Sequence, residues 1–145
     1  MKIVYAGSPQ YAVAPLRALI EAGEEVIAVL TQPDKPTGRK RVLSPTPVKL
    51  YALSKGIPVY DFDKVRGHAE QLKNIGADIM FTCAYGQLLS QEVLNAFPMG
   101  VYNLHASLLP AFRGASPIQS AILGGCEYTG VTVMKTQLGL DTGDM

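Results

Sequence analysis

Short apolar runs alternate along this chain with stretches whose apolar residues recur every three or four positions. KIVYAG (2–7) is an apolar strand that ends at Gly7. Ser8 then reads as a helix cap with Pro9 at the first helical position. YAVAPLRALIEAG (11–23) has helical spacing and stops at Gly23. EEVIAVLT (24–31) is β-branched and reads as a buried strand. The turn-rich segment QPDKPTGRKRVLSP (32–45) predicts no regular structure and poor order without a partner. Thr46 and Pro47 repeat the cap-plus-proline start, for a helix to about Ser54. IPVY (57–60) reads as a short strand and KVRGHAEQLKNIG (64–76) as a polar-faced helix. ADIMFTCA (77–84) is the most apolar strand, and the loop YGQLLS (85–90) follows it. QEVLNAF (91–97) predicts a short helix and GVYNLHA (100–106) a strand. Ser116, Pro117 and Gln119 mark a capped helix start. TGVTVMKT (129–136) is a last strand; with no crossover helix after it, an antiparallel edge position is open to it.

Strands alternating with helices predict an α/β domain: a mostly parallel sheet, helices on both faces, the first strand in its middle region. In such sheets ligands sit beyond the carboxyl ends of the strands. The loops to watch therefore follow Gly7, Thr31, Ala84 and His105.

The length, 145 residues, suits one domain. With 48% hydrophobic and 17% charged residues, the composition is that of a globular chain and not a disordered one. A net charge of +1 leaves nucleic-acid binding to a local basic patch. The apolar runs are too short to span a membrane, and Gly7 interrupts any signal-peptide core. Two cysteines and two histidines at scattered positions make no zinc spacing, so no metal is expected. A reduced cytoplasmic setting fits best.

Dinucleotide binding is the first function to test on such a fold. It asks for G-x-G-x-x-G after the first strand. AGSPQYA supplies one glycine and a proline, and Pro9 blocks the close backbone approach. No acidic residue ends the second strand, since Asp34 comes only after a proline turn. Neither G-x-x-x-x-G-K-[ST] nor G-x-S-x-G occurs in the chain.

The chemistry-bearing stretch is NLHASLLP (103–110). In a strand, Asn103 and His105 at i and i+2 project to one face. A buried histidine satisfied by a backbone carbonyl is the plain alternative. Asp141, in the glycine-bracketed turn GLDTGDM, could complete an acid–base cluster with them. Asp in such a turn is also ordinary turn chemistry.

These residues resemble a known pattern. Asn103, His105 and Ser107-Leu108-Leu109-Pro110, with Asp141 in its D-x-G turn, are similar to the motif of the folate-dependent formyltransferases. The likeness runs from VYAGSPQYA through RGASPIQSAI to GLDTGDM. TQPDKPTGRKRVLSPTPVK looks like the branch acting on methionyl-tRNA; relatives acting on glycinamide ribonucleotide or nucleotide sugars lack this loop. The resemblance implies a Rossmann-like formyltransferase fold. It also implies transfer of a formyl group from 10-formyltetrahydrofolate to the amine of initiator methionyl-tRNA, for translation initiation. Asn103 and protonated His105 would donate hydrogen bonds to the oxyanion, His105 would pass a proton toward the departing folate nitrogen, and Asp141 would hold the imidazolium.

The folate pocket implied by the resemblance is lined by Ser107, Leu108, Leu109 and Pro110. Beside them stand Tyr85, Gly86, Gln87 and Leu89, with Leu138 and Asp141 at the pterin edge. For Leu88, a place in the core is as good a reading. Lys35, Arg39, Lys40 and Arg41 would engage the tRNA. A monomer is expected. His68 reads as a surface residue, Cys83 as core, and Cys126 as incidental. The family's catalytic domain continues beyond the pattern ending at Met145, and the tRNA enzyme adds a C-terminal barrel. Residues 1–145 are therefore expected to form a catalytic domain incomplete at its C-terminal end, of doubtful activity alone. Two rival readings are a formyltransferase for a small amine, such as an amino-sugar nucleotide or glycinamide ribonucleotide, and a folate-binding module without catalysis.

Overall fold

The computed structural model describes residues 1–105 and 132–137. Its centre is four apolar segments that form parallel strands: β1 (Lys2–Gly7), β2 (Glu25–Leu30), β6 (Ile79–Cys83) and β7 (Val101–His105). A two-residue strand, β5 (Val59–Tyr60), lies outside β2, and β8 (Thr132–Lys135) lies outside β7. Among the described residues the sheet order is β5-β2-β1-β6-β7-β8, so the first strand is interior as its continuous apolar run requires. Within this sheet every described pairing is parallel except β7 with β8, the edge position left open by the sequence.

Side-chain alternation divides the core into two layers. Val4, Ala6, Leu30, Met80 and Val101 face α3 (Ala69–Ile75) and α4 (Gln91–Asn95). Tyr5, Val29, Cys83 and Leu104 face α1 (Val13–Glu21) and α2 (Pro47–Ser54). The buried Tyr5 hydroxyl donates to Ala12 O at 2.6 Å, which avoids a desolvation cost of about 1–3 kcal/mol. Cys83 is core, as its apolar surroundings in the sequence imply.

The cap at Thr46 forms as read: its hydroxyl accepts from Lys49 N at 3.0 Å, with Pro47 in the first turn. Three other expectations change. Ser8 caps no helix, because its hydroxyl donates to Tyr85 O across the sheet end at 2.9 Å. A 3-10 turn (Gln10–Ala12) comes first, and α1 starts only at Val13, with Pro15 tolerated in its first turn. The helix expected over 64–76 is broken into a 3-10 turn (Val65–Gly67) and α3. His68 stands at the break, its ring stacked on Phe62 at 4.0 Å between centroids. It is half-buried there rather than on an open surface.

The third change is segment 32–45, which contains regular structure. β3 (Lys35–Thr37) and β4 (Val42–Ser44) form an antiparallel hairpin separate from the main sheet. Apolar periodicity could not reveal it, because both strands are mostly exposed and no core selects their residues. The hairpin is held by local polar bonds, including Thr37 Oγ1 to Ser44 Oγ at 2.7 Å. The expected helix start at Ser116 lies outside the described residues.

Candidate functional site

The parallel strands end on one edge, where the segments after Gly7, Thr31 and Ala84 open and β7 ends at His105. Gly7 closes β1 under tight constraint: a Cβ at this position would lie 2.9 Å from Cys83 O on the neighbouring strand. Only glycine lets the two strand ends approach this closely.

Asn103 sits beside Thr82 in the β6–β7 register. By strand alternation Asn103 and His105 share the face of Val101, the layer with α3 and α4. The Thr82 hydroxyl donates to Asn103 Oδ1 at 2.9 Å. With its oxygen engaged, the amide has its N–H groups to offer a ligand. His105 is 7% exposed, at the strand's carboxyl end. Its backbone is opposite Thr132 of β8, and Asn103 is opposite Met134. Asp141, Ser107, Leu108, Leu109, Pro110 and Leu138 lie outside the described residues.

The loop after β6 is sharply bent. Ala84 and Gly86 both take positive φ, 50° and 89°. Tyr85, between them, is directed into the core, and burial pushes its phenol pKa up. Its hydroxyl has no hydrogen-bond partner among the described residues. Leu89 packs against the same core layer, whereas Leu88 is 78% exposed, so a core role for Leu88 is excluded. Gln87 is tied by its side chain to neighbouring segments: its Oε1 accepts from Val65 N at 2.7 Å and its Nε2 donates to Phe62 O at 2.7 Å.

On the other side of β1, the basic hairpin projects from the end of β2. Lys35, Arg39, Lys40 and Arg41 are all exposed, and none forms an ion pair among the described residues. Val42 and Leu43 beside them are 59% and 65% exposed. The hairpin's base is fixed. Thr31 Oγ1 and Thr46 Oγ1 share a 2.5 Å hydrogen bond. Lys49 Nζ reaches Asp34 at 2.9 Å and Asp61 at 3.2 Å. Hydrogen bonds to Asp34 and then Asp61 hold the Lys49 ammonium above its usual pKa.

Sequence reasoning missed Ser8, Gln32, Thr82 and Lys49. Thr82 and Gln32 carried a usable signal, since both are polar residues at or just past the carboxyl end of an apolar strand. The partners of Lys49 come from segments that only the fold brings together. Among the described residues no cluster of three metal-ligating side chains occurs, and no helix is long and apolar enough to cross a membrane.

Taken together, a parallel α/β sheet with an asparagine–histidine pair at a strand end makes the sheet's carboxyl edge the candidate site. The family model described as formyl transferase matches residues 1–145, and the chain belongs to that family. The methionyl-tRNA formyltransferase of Chromobacterium violaceum is 52% identical over 148 residues, covering 100% of this chain and 48% of that protein. That of Lachnospira eligens is 50% identical, covering 100% of this chain and 47% of that protein. The chain thus spans about half the length of the curated relatives it matches. Among solved structures, phosphoribosylglycinamide formyltransferase from Bacillus halodurans superimposes with a TM-score of 0.68 at 25% identity, covering 99% of this chain and 76% of that one. A formyltetrahydrofolate deformylase from Pseudomonas syringae shares the fold at a TM-score of 0.64 and 20% identity, covering 98% of this chain and 47% of that one.

Proposed function

We propose that this chain is the catalytic part of a methionyl-tRNA formyltransferase, moving a formyl group from 10-formyltetrahydrofolate to the amine of initiator methionyl-tRNA. The observation that carries it is the Asn103 amide: its oxygen is engaged by Thr82, so its N–H groups are offered at a strand's carboxyl end beside His105. Attack of the amine on the formyl carbon places negative charge on the formyl oxygen. Asn103 Nδ2 donates to that oxygen, and His105 in its protonated form donates as well. As the bond from the formyl carbon to the folate nitrogen breaks, His105 gives its proton to that nitrogen, and the neutral imidazole takes up the proton lost by the attacking amine, restoring the imidazolium that Asp141 supports. A donor of this kind lowers the barrier by about 3 kcal/mol. Ser107 to Pro110, Leu138 and the 85–89 loop line the folate pocket in this reading, with Gly86 and Leu89 nearest the pterin. No metal takes part.

The choice of acceptor rests on the hairpin. Lys35, Arg39, Lys40 and Arg41 form an exposed cluster suited to a phosphate backbone. Relatives near 50% identity bear the tRNA enzyme's name. A cytoplasmic monomer belongs to the same reading.

The test is an acceptor comparison in a full-length version of the protein, with 10-formyltetrahydrofolate as donor: methionyl-tRNA, glycinamide ribonucleotide and an amino-sugar nucleotide. Formylation of methionyl-tRNA alone is expected. Preference for glycinamide ribonucleotide, the substrate class named in the structural neighbours, would replace the tRNA reading. Tetrahydrofolate binding with no formylation of any acceptor would leave a folate-binding module, and turnover unchanged by His105→Ala would remove His105 from the mechanism.

A further inference from the structure

The loop that follows β6 is joined to two other segments by a chain of side-chain amides whose orientation is fixed at both ends. Val65 N donates to Gln87 Oε1 at 2.7 Å, so the amide nitrogen of Gln87 must lie on the other side. That nitrogen donates to Phe62 O at 2.7 Å and to Gln32 Oε1 at 3.0 Å. Gln32 is thereby oriented too, and its Nε2 donates to Gly86 O at 2.7 Å. A backbone N–H at one end and a backbone carbonyl at the other leave neither amide free to flip. Each flip would set oxygen against oxygen or N–H against N–H.

Two further contacts close the arrangement. Ser8 Oγ donates to Tyr85 O at 2.9 Å and accepts from Gln32 N at 3.2 Å. A Cβ at Gly86 would lie 2.6 Å from Gln32 Nε2, and the φ of 89° independently favours glycine there. The loop is therefore anchored at Tyr85, Gly86 and Gln87 in succession.

We infer that Gln32 and Gln87 are positioning residues for the folate loop, acting through its backbone and not by contact with the cosubstrate. This rests on the proposal that residues 85–89 line the folate pocket. Gln87 has both N–H groups engaged, by Phe62 O and Gln32 Oε1, and the Gln32 amide is tied at its nitrogen to Gly86 O and at its oxygen to Gln87, so both side chains are committed to holding the loop backbone. What the pair supplies is a backbone held in place before the ligand arrives, which lowers the ordering cost of binding.

The test compares the protein with Gln87→Met and Gln32→Met, which keep length and remove every polar bond. Tetrahydrofolate binding is measured by calorimetry, and steady-state kinetics are run at varied 10-formyltetrahydrofolate. The Kd and the KM for folate are expected to rise about tenfold in each variant, with kcat at saturating folate within about twofold. The KM for methionyl-tRNA stays unchanged. Gln32→Glu is the second variant, should Gln87→Met fail to fold. It keeps an acceptor for Gln87 and replaces the donor to Gly86 O by a carboxylate oxygen that repels that carbonyl, so it too should weaken folate binding. Folate binding as tight as the parent's in the folded variants would overturn the inference. Absence of tetrahydrofolate binding in the parent protein would instead overturn the folate reading beneath it.

Discussion

The Thr82 hydroxyl donates to Asn103 Oδ1 across neighbouring parallel strands at 2.9 Å. This one bond decides which end of the amide is left for a substrate. Thr82→Val keeps the shape of the side chain and removes the donor. A hydrogen bond of about 1 kcal/mol corresponds to roughly a fivefold loss in kcat, with both KM values little changed. Thr82→Ser should restore the rate. Equal kcat in the parent and the valine variant would show that Asn103 is held by other means. Asn103→Ala removes the donor itself, and a loss of about 10²- to 10³-fold is expected.

The basic hairpin should act through counterion release. Arg39→Ala and Arg41→Ala are each expected to weaken methionyl-tRNA binding and to reduce the magnitude of its salt slope by about 0.7–0.9, leaving tetrahydrofolate binding intact. A salt series with the two variants checks this. An unchanged slope in both would assign the cluster to solubility alone.

Lys49 is expected to matter more for the hairpin than for the fold. Its bridges to Asp34 and Asp61 are partly exposed, so Lys49→Met should cost less than about 1 kcal/mol of stability in a urea titration. Loss of the anchor at Asp34, just before β3, should lower tRNA affinity by roughly three- to fivefold, within the same energy range. Lys49→Arg, which can still bridge both carboxylates, should recover most of it. Undiminished tRNA affinity in Lys49→Met would show the hairpin to be held without the bridge.

Burial pushes the Cys83 thiol pKa up. The folded chain therefore keeps its proton at a pH where the unfolded chain, with a thiol pKa of about 8.5, has lost it. Stability is level below that pH and falls as pH rises above it, by at most about 1.4 kcal/mol per pH unit from this group. Urea titrations between about pH 7 and pH 9.5 should show the decline, and Cys83→Ala should flatten it. Slow alkylation of the native protein by iodoacetamide is the companion result, since the thiolate is scarce and enclosed. Rapid modification of Cys83 itself at neutral pH, distinguished from Cys126 by peptide mapping, would contradict the burial.

The interior strands were legible because their apolar runs satisfy a sheet covered on both sides, and β1, β2, β6 and β7 all lie where that pattern puts them. The placement of Asn103 and His105 on one face followed from the two-residue strand period alone. The hairpin was not legible, since exposed strands carry no alternating signature. Ser8 misled because a serine before a proline suits a helix start equally well as a cross-loop bond. The Gln32–Gln87 chain depends on two loops far apart in sequence, and local pattern has no access to that pairing.

The outer edge of β7 is completed by β8, with Thr132 against His105 and Lys135 against Tyr102. Among the described residues, all the other strands of the main sheet precede β8 in the chain. During synthesis the strand bearing Asn103 and His105 would therefore emerge with one side paired and the other open, until the later segment arrives. An open edge on an apolar strand is the place where another nascent chain could pair. The same geometry makes β8 the natural first strand to leave under partial denaturation, freeing the edge of β7 while β6 still holds it. In native-state hydrogen exchange, the amides shared by β7 and β8 should then open at lower free energy than those between β1 and β6.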